Sequence, residues 1–292
     1  MSFNNKKCLI CKRPNNTVHW HVDSDTGSIW CYCVGKCQRG YSLHSYCHTA
    51  GVDLNDFLKG DFEFQEAASN EVSKLDWPNT FISLHDPRAK KGLDYVKSRG
   101  LEIKGDMYFD TESEAIVFPY YYGSIFVGAQ TRLINPWLKK DGEQTKILTL
   151  PGTRLGLVFY NWNQDVFFTN IKAVIVCEGA FNTLSIQQAL NNLYGGVTNN
   201  PFKAIATSGC GTTKHQIDKL KELKESGKKI IIAFDSDEPG LKGLTKMIRE
   251  GVATHYCLTK DTEIDWNDIL KKNGHKYLAE FVLKNIKDID AI

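Results

Sequence analysis

From about residue 171 onward, short apolar runs alternate with amphipathic, helix-like segments, and this alternation restricts the fold more than any other feature of the sequence. The apolar runs lie at 173–177, 203–207, 228–234 and 253–259, and a polar, helix-like segment follows each of them. Apolar strands that alternate with helices are typical of a parallel sheet covered by helices on both faces. We therefore expect an α/β, Rossmann-like core in residues 171–292.

The preceding segment, residues 81–170, has a mixed pattern. A cap and a following proline predict a helix that starts at Asp86-Pro87 and ends before Gly100. Residues 115–134 read as paired strands around a glycine, and 154–160 is a short β-like piece. We expect a mixed α+β subdomain here.

The first part of the chain differs from both. Residues 1–58 are rich in cysteine, histidine and aromatic residues, whereas residues 59–80 are polar and carry no strong pattern. The polar stretch is typical of a linker. We therefore predict an N-terminal domain over 1–58 that is joined to the rest by a linker over 59–80.

Cysteine placement indicates a metal site in that N-terminal domain, because six of the nine cysteines lie in the first 47 residues. Cys8 and Cys11 form a tight pair, and three further cysteines compete for the second pair that tetrahedral zinc requires. Cys33 and Cys37 are favoured, with Cys31 as the alternative, since the loop between two ligands needs at least two residues. The prediction is a β-rich ribbon held by a structural Zn²⁺.

Bulk properties exclude some classes of protein and leave others open. No apolar run approaches the ~20 residues that span a bilayer, and the first residues do not form a signal peptide. We expect a cytoplasmic protein with no membrane partner. The formal net charge of +2 neither supports nor excludes a nucleic-acid partner.

Three acidic residues follow two of the predicted strands. Glu178 comes directly after the first strand of the α/β core, and Asp235 and Asp237 come directly after the third. Ligands bind at the carboxyl ends of strands in open parallel sheets. Carboxylate oxygens without thiol or imidazole suit Mg²⁺ or Mn²⁺. The alternative for either aspartate alone is a helix N-cap.

At these residues the sequence resembles a known family. Val-Ile-Val-Cys-Glu178-Gly179 and Ile-Ile-Ala-Phe-Asp235-Ser-Asp237-Glu-Pro-Gly240 resemble the two signatures of the Toprim fold. Bacterial-type primases, topoisomerases, RecR-like proteins and certain nucleases share that fold. A cysteine ribbon placed before it is similar to the bacterial and phage primases.

The resemblance implies a DNA primase that synthesises short RNA primers on single-stranded DNA from ribonucleoside triphosphates during replication. In this nucleotidyl transfer Glu178 would be a catalytic acid/base or metal ligand, and Asp235 and Asp237 would hold Mg²⁺ or Mn²⁺. The stretch 128–152 resembles the basic segment that precedes Toprim in primases, so Arg132 and Lys146 would contact phosphate or template.

Other residues near these motifs bear on the site. Lys214 stands at a predicted helix start beside a glycine-containing loop, where it could help to bind phosphate. Many relatives carry aspartate four residues after the glutamate, whereas this chain has Asn182, which implies weaker binding of a second ion. The turn Asp265-Trp-Asn267-Asp268 resembles a later family turn that borders the site.

The chain ends soon after that turn, so we expect the replicative helicase to be a separate polypeptide. Compact primases of this kind resemble those of large bacteriophages, for which the location would be the host cytoplasm. Two alternatives stay open: a Toprim-type nuclease, and a non-catalytic zinc-bearing DNA adaptor in recombination or replication. Synthesis of RNA, loss of DNA, or DNA binding without metal-dependent catalysis distinguishes the three.

Overall fold

The computed structural model describes residues 72–103, 107–138, 144–162, 166, 170–209, 211–259 and 261–291, together with the backbone of short strands within 2–65. The chain divides into two compact units, Met1–Glu71 and Val72–Ile292.

In the first unit the described backbone consists of antiparallel strands. β1 (Ser2–Phe3) pairs with β6 (Phe64–Gln65). A four-stranded sheet contains, in spatial and chain order, β2 (Lys6–Lys7), β3 (Thr17–Val22), β4 (Ile29–Cys33) and β5 (Gly40–Ser42).

The predicted zinc ligands fall in this first unit. Cys8, Cys11 and Cys37 lie outside the described residues. Cys31 and Cys33 lie on the backbone of β4, and their side chains are outside the description. The zinc ribbon therefore stays a prediction from the sequence.

The second unit begins with a five-stranded antiparallel sheet in the order β11-β10-β9-β8-β7. Its strands are β7 (Phe81–Ser83), β8 (Tyr108–Asp110), β9 (Ala115–Tyr122), β10 (Ile125–Leu138) and β11 (Gln144–Thr149). Between β7 and β8 a 3₁₀ turn (Pro87–Ala89) leads into helix α1 (Lys90–Ser98).

The local signals behind this sheet act largely as the sequence indicates. The Asp86 side chain caps the 3₁₀ turn by accepting a hydrogen bond from the Arg88 backbone N–H. Gly123 adopts a φ of 60° in the tight turn between β9 and β10, a conformation that glycine adopts without steric cost. The β-like reading of 154–160 is wrong for its first half, because Leu155–Leu157 forms a 3₁₀ turn. Only Tyr160 makes a β-bridge there, to Ala206.

Residues 72–80, which the sequence assigns to the linker, pack against the same sheet. The Leu75 backbone N–H donates to the Phe126 carbonyl at 3.0 Å. The Trp77 ring makes edge contacts with the rings of Phe81, Tyr108 and Phe126, with centroids 4.7 to 5.6 Å away. The packed structure of this unit therefore starts before residue 81.

The second sheet is the predicted α/β core. In the order β13-β12-β14-β15-β16 it contains β12 (Ala173–Cys177), β13 (Phe202–Ala206), β14 (Lys229–Ile232), β15 (His255–Tyr256) and β16 (Lys287–Asp288). Strands β13, β12, β14 and β15 run parallel to one another, whereas the edge strand β16 pairs antiparallel with β15. The helices are α2 (Ala180–Leu193), α3 (Lys214–Glu225), α4 (Glu238–Arg249) and α5 (Trp266–Asn285).

Helices cover both faces of this sheet, as the continuous apolar strands predict. Alternate residues of β12 enter different cores, because successive side chains of a strand point to opposite faces. Ile175 packs in a core with α2, α5 and the antiparallel sheet, whereas Val174 and Val176 pack in a core with α3 and α4.

Helix α5 is longer than the sequence pattern indicates, since it continues through a kink at Gly274 (φ 81°) to Asn285. Its second half buries Leu278 and Val282 in the core beneath the sheet. Among the described residues no helix combines the length and apolar character that crossing a bilayer requires.

Candidate active site

The three predicted acidic residues meet at one edge of the parallel sheet. β12 and β14 are adjacent and in register, with Val176 opposite Ile232, so the two strands end side by side. Glu178 follows the first strand, and Asp235 and Asp237 follow the second. The sequence prediction that these residues share one edge of the sheet agrees with this geometry.

Each of the three carboxylates accepts a hydrogen bond through one oxygen, two of them from backbone N–H groups and one from a side-chain amide. Glu178 Oε1 accepts from the Asp235 backbone N–H at 3.2 Å. Asp235 Oδ1 accepts from Asn182 Nδ2 at 2.9 Å. Asp237 Oδ1 accepts from the Gly240 backbone N–H at 2.8 Å and caps α4. The second oxygen of each carboxylate accepts no hydrogen bond from the described residues.

Asp237 has both of the roles that the sequence left open, because it is a helix N-cap and also a charge in the acidic cluster. Its side chain is a helix N-cap, the structural role that is common for aspartate at this position. Its charge nevertheless raises the pKa values of the two other acids. Asp237 therefore belongs to the electrostatics of the cluster, although it does not line the cavity described below.

Close packing at Gly240 holds Glu178 against the loop after β14. A Cβ atom on Gly240 would lie 2.1 Å from the Asp235 carbonyl oxygen and 2.7 Å from Glu178 Oε1. Both distances are shorter than van der Waals contact. Only glycine at this position lets the first turn of α4 approach the two acids so closely.

Burial and mutual repulsion raise the pKa values of these acids. Burial is the largest cause for Glu178, whose pKa rises to about 7, and the Asp235 charge is the next. Burial also raises the pKa of Asp235 to about 6, with the charges of Asp265 and Asp237 adding to it. Clustered, partly desolvated carboxylates of this kind are stabilised by a bound cation.

A cavity of about 280 Å³ opens beside Glu178 and Asp235. This volume is close to the lower end of small-molecule sites. The antiparallel sheet contributes the facing wall, including Gln130, Arg132 and Ile147. Both subdomains of the second unit therefore form this cavity, with carboxylates on one side and a guanidinium among the lining groups.

Arg132 lies where the sequence predicted a phosphate or template contact. It lines the cavity, and its Nε is buried without a hydrogen-bond partner among the described residues. A buried donor without a partner is costly unless a ligand or water accepts its hydrogen bond. This donor is available to an acceptor in the cavity, such as a water or a phosphate oxygen.

The other two predicted basic contacts are not part of the cavity. Lys146 is exposed on β11 and does not line the cavity, whereas its neighbour Ile147 does, because side chains alternate along a strand. Lys214 is exposed at the first position of α3 and does not line the cavity either. Their roles as ligand contacts stay predictions.

Arg99 is a cavity residue that sequence reasoning missed. Its guanidinium lies over the Phe181 ring, 5.0 Å from the centroid, and its Nε is also buried without a partner among the described residues. The residue lies just after the end of α1, where a basic residue is ordinarily explained by the helix dipole. Only the folding of α1 against α2 and α5 brings it to the site.

Asp265 also lines the cavity, which agrees with the prediction that its turn borders the site. It caps α5 through a capping box with Asp268. Burial raises its pKa, and the nearby Arg99 charge opposes that shift. Its own charge contributes to the raised pKa of Asp235, so it is a fourth member of the acidic group.

The donor set fits a hard divalent cation that shares its ligands with substrate and water. Among the described residues no three acidic, histidine or cysteine side chains lie close enough to form a complete metal site. Mg²⁺ is usually bound through one or two carboxylates, with waters and substrate phosphates completing the octahedron. Glu178 and Asp235 each have one oxygen that accepts no hydrogen bond from the described part of the chain and is available for that purpose.

Comparisons with known proteins agree with this architecture. Residues 175–270 match the family model described as Toprim-like. A DNA primase of Campylobacter jejuni subsp. jejuni is 25% identical over 265 residues, which cover 88% of this chain and 38% of that protein. The chain thus spans well under half the length of this curated relative.

Solved structures with a similar fold include a DnaG catalytic core, with a TM-score of 0.52 and 16% identity over 72% of this chain and 76% of that chain. A DnaG primase catalytic domain bound to single-stranded DNA has a TM-score of 0.51 and 17% identity, covering 72% and 75%. The E. coli primase catalytic core has a TM-score of 0.50 and 17% identity, covering 72% and 77%.

The class defined by fold and site is therefore a Toprim-like domain joined to an antiparallel sheet, the architecture of a primase catalytic core. The chain is thus similar in sequence to a DNA primase and in fold to DnaG catalytic cores, as the sequence resemblance implies.

Proposed function

We propose that this chain synthesises short RNA primers on single-stranded DNA by metal-dependent nucleotidyl transfer during DNA replication. One observation supports this most strongly. Two carboxylates, Glu178 and Asp235, and two arginines, Arg99 and Arg132, line the same cavity, and each has a polar atom without a hydrogen-bond partner among the described residues. A nucleoside triphosphate with its divalent cation has the complementary charges.

The basic and acidic residues of the cavity have different proposed roles because their charges differ. Arg99 and Arg132 would bind phosphate oxygens of the incoming nucleotide or template, since guanidinium groups donate two hydrogen bonds to phosphate at once. Glu178 and Asp235, with Asp237 and Asp265 nearby, would hold Mg²⁺ or Mn²⁺. When bound, such an ion polarises the α-phosphate and neutralises charge on the departing pyrophosphate.

Glu178 is also suited to proton transfer. Its pKa of about 7 lies near neutral pH, where a general base is most effective. It could accept the proton of the 3′-hydroxyl as the new phosphodiester bond forms. Positioning of the two nucleotides and electrostatic stabilisation would supply most of the rate enhancement.

The partners beyond the cavity are also proposals. The DNA primase catalytic domain to which this chain is similar was solved with single-stranded DNA, which supports a single-stranded template here. A zinc ribbon formed by Cys8, Cys11, Cys33 and Cys37 would help to select the initiation site. Its zinc content can be measured by mass spectrometry of the purified chain. We further propose that a separately encoded helicase supplies the unwound template.

Primer synthesis on a random-sequence single-stranded DNA library tests the function directly. The chain is incubated with labelled ribonucleoside triphosphates, with and without Mg²⁺, and the products are separated on a denaturing gel. Template-dependent RNA that requires Mg²⁺ is the expected result. Cleaved DNA without RNA would indicate the nuclease, and DNA binding without either product would indicate the non-catalytic adaptor.

A further inference from the structure

Asn182 occupies a buried position at the centre of the acidic group, with 6% of its surface exposed. Its Nδ2 donates to Asp235 Oδ1 at 2.9 Å, and its Oδ1 accepts from the Asn267 backbone N–H at 3.3 Å. A carboxylate only accepts hydrogen bonds and a backbone N–H only donates. These two partners therefore fix which end of the amide faces Asp235.

The second asparagine in this chain of bonds is itself held in place. Asn267 is fully buried, and its Nδ2 donates to the Arg99 carbonyl at 2.8 Å and to Ser185 Oγ at 2.9 Å. Rotating the Asn182 amide would break both of its bonds and leave buried polar groups unpaired, which is unfavourable. The amide therefore stays in one orientation.

This orientation determines where Asp235 can bind a cation. The NH₂ group of Asn182 lies against Asp235 Oδ1, and an amide nitrogen has no free lone pair with which to bind a metal. The single oxygen of the Asn182 side chain is directed to the Asn267 backbone, so it is not available to a cation beside Asp235. Asn182 thus offers a cation no ligand oxygen on the α2 side of Asp235, and Oδ2 is the more open carboxylate oxygen.

We propose that Asn182 is a positioning residue that limits Asp235 to one divalent cation, by covering one carboxylate oxygen and keeping its own oxygen away from the cluster. This inference rests on the proposed metal-dependent function, and it adds the number of ions and the residue that sets it. Replacing the NH₂ group by an oxygen, as in Asn182→Asp, would turn the covering donor into a second ligand.

Counting bound Mn²⁺ by electron paramagnetic resonance tests the proposal. Mn²⁺ serves as the paramagnetic substitute for Mg²⁺, and Asp235→Asn supplies the blank that removes ions bound elsewhere on the chain. We expect one Asp235-dependent ion in the unchanged protein and two in Asn182→Asp. A merely structural role of Asn182 would not add an ion.

Asn170→Asp is the matched control, because Asn170 is exposed and its side chain donates to the Thr198 carbonyl, away from the acidic group. The same change of charge there should leave the count at one. Two Asp235-dependent ions in the unchanged protein would overturn the inference and leave the proposed function intact. A single ion in folded Asn182→Asp would also overturn the inference alone. No Asp235-dependent ion at all would overturn both. Because the count on the unchanged protein can overturn the inference by itself, the proposal stays falsifiable even if Asn182→Asp folds poorly.

Discussion

Individual acidic residues of the site give it a measurable dependence on pH. The pKa of Glu178 rises from 4.5 to about 7 on folding, so between these values the folded chain binds more protons than the unfolded chain. The free energy of unfolding must then fall as pH rises through that window. We predict that Glu178→Gln, which cannot ionise, loses this part of the dependence.

Thermal unfolding at pH 5 and pH 8, without added divalent metal, measures the effect. The stability of Glu178→Gln minus that of the unchanged protein should be larger at pH 8 than at pH 5. Added Mg²⁺ should stabilise the unchanged protein more at pH 8, where the carboxylates are ionised. An identical difference between the two proteins at both pH values would contradict the raised pKa.

Gly240 gives a second prediction for a single residue. Helix propensity alone would make Gly→Ala in α4 stabilising by about 0.5–1 kcal/mol. The clash of a Cβ with the Asp235 carbonyl and Glu178 should reverse that sign. We expect Gly240→Ala to destabilise by roughly 1–3 kcal/mol and to abolish primer synthesis.

Gly211→Ala is the control for this change, because a Cβ there would meet no atom of the described residues within 4 Å. Denaturant unfolding should place it within about 0.5 kcal/mol of the unchanged protein. A neutral Gly240→Ala would mean that the loop after β14 moves without cost, which the account does not allow.

The residues at the site differ in how far the sequence could reveal them. Glu178 and Asp235 were predictable, because each follows an apolar strand and parallel neighbouring strands end at one edge. Arg99 was not, since its place depends on contacts with residues more than eighty positions away. The role of Gly240 was also hidden, because only coordinates show the distance between α4 and the acids.

At the scale of elements, the adjacent strands β10 and β11 of the antiparallel sheet place their basic residues differently relative to the cavity. Arg132 on β10 lines the cavity, whereas Lys146 on β11 is exposed and does not. We predict that Arg132→Ala lowers primer synthesis by about 10- to 100-fold, mainly through weaker binding of nucleotide or template, since it removes a charge-assisted contact worth ~1.5–3 kcal/mol.

Steady-state kinetics with varied nucleotide and template concentrations measures this loss. Arg249→Ala is the control, because Arg249 is exposed and outside the cavity. Equal losses for Arg132→Ala and Arg249→Ala would indicate general electrostatic attraction instead of a specific contact.

The segment before β7 gives a prediction about an element that the sequence assigned to the linker. Trp77 contacts three rings of the antiparallel sheet, so Trp77→Ala should destabilise the second unit by about 2 kcal/mol. Trp137→Ala is the matched control, because that ring is 53% exposed. Thermal unfolding should separate the two variants, and equal melting temperatures would show that residues 72–80 are a tether after all.

Elements with strong local signals were predictable from the sequence. The bounds of β12 and α2 follow the expected ones because an apolar run, a glycine and an amphipathic period coincide there. The apolar stretch 154–160 was misread as β-like, since its apolar character serves tertiary packing of a 3₁₀ turn. Trp77 was hidden in a polar stretch for the same reason, because its ring contacts with Tyr108 and Phe126 are tertiary.

At the scale of the whole molecule, the site depends on two sheets of different kinds. The parallel sheet contributes the carboxylates, and the antiparallel sheet with the end of α1 contributes the arginines. Helix packing joins them, since Asn267 of α5 bonds to both the Arg99 carbonyl and Ser185 of α2. The composition and net charge of the chain could not reveal this arrangement, because it arises from the relative placement of distant segments.

The most direct test of the central claim is Mg²⁺-dependent RNA synthesis on single-stranded DNA by Asp235→Asn, compared with Asp218→Asn, which neutralises an exposed acid on α3. We predict that Asp235→Asn stays folded, with an unchanged or higher melting temperature in the absence of metal. Its rate of RNA synthesis should fall by at least about 100-fold. Asp218→Asn should retain full activity. Undiminished RNA synthesis by folded Asp235→Asn would contradict the account.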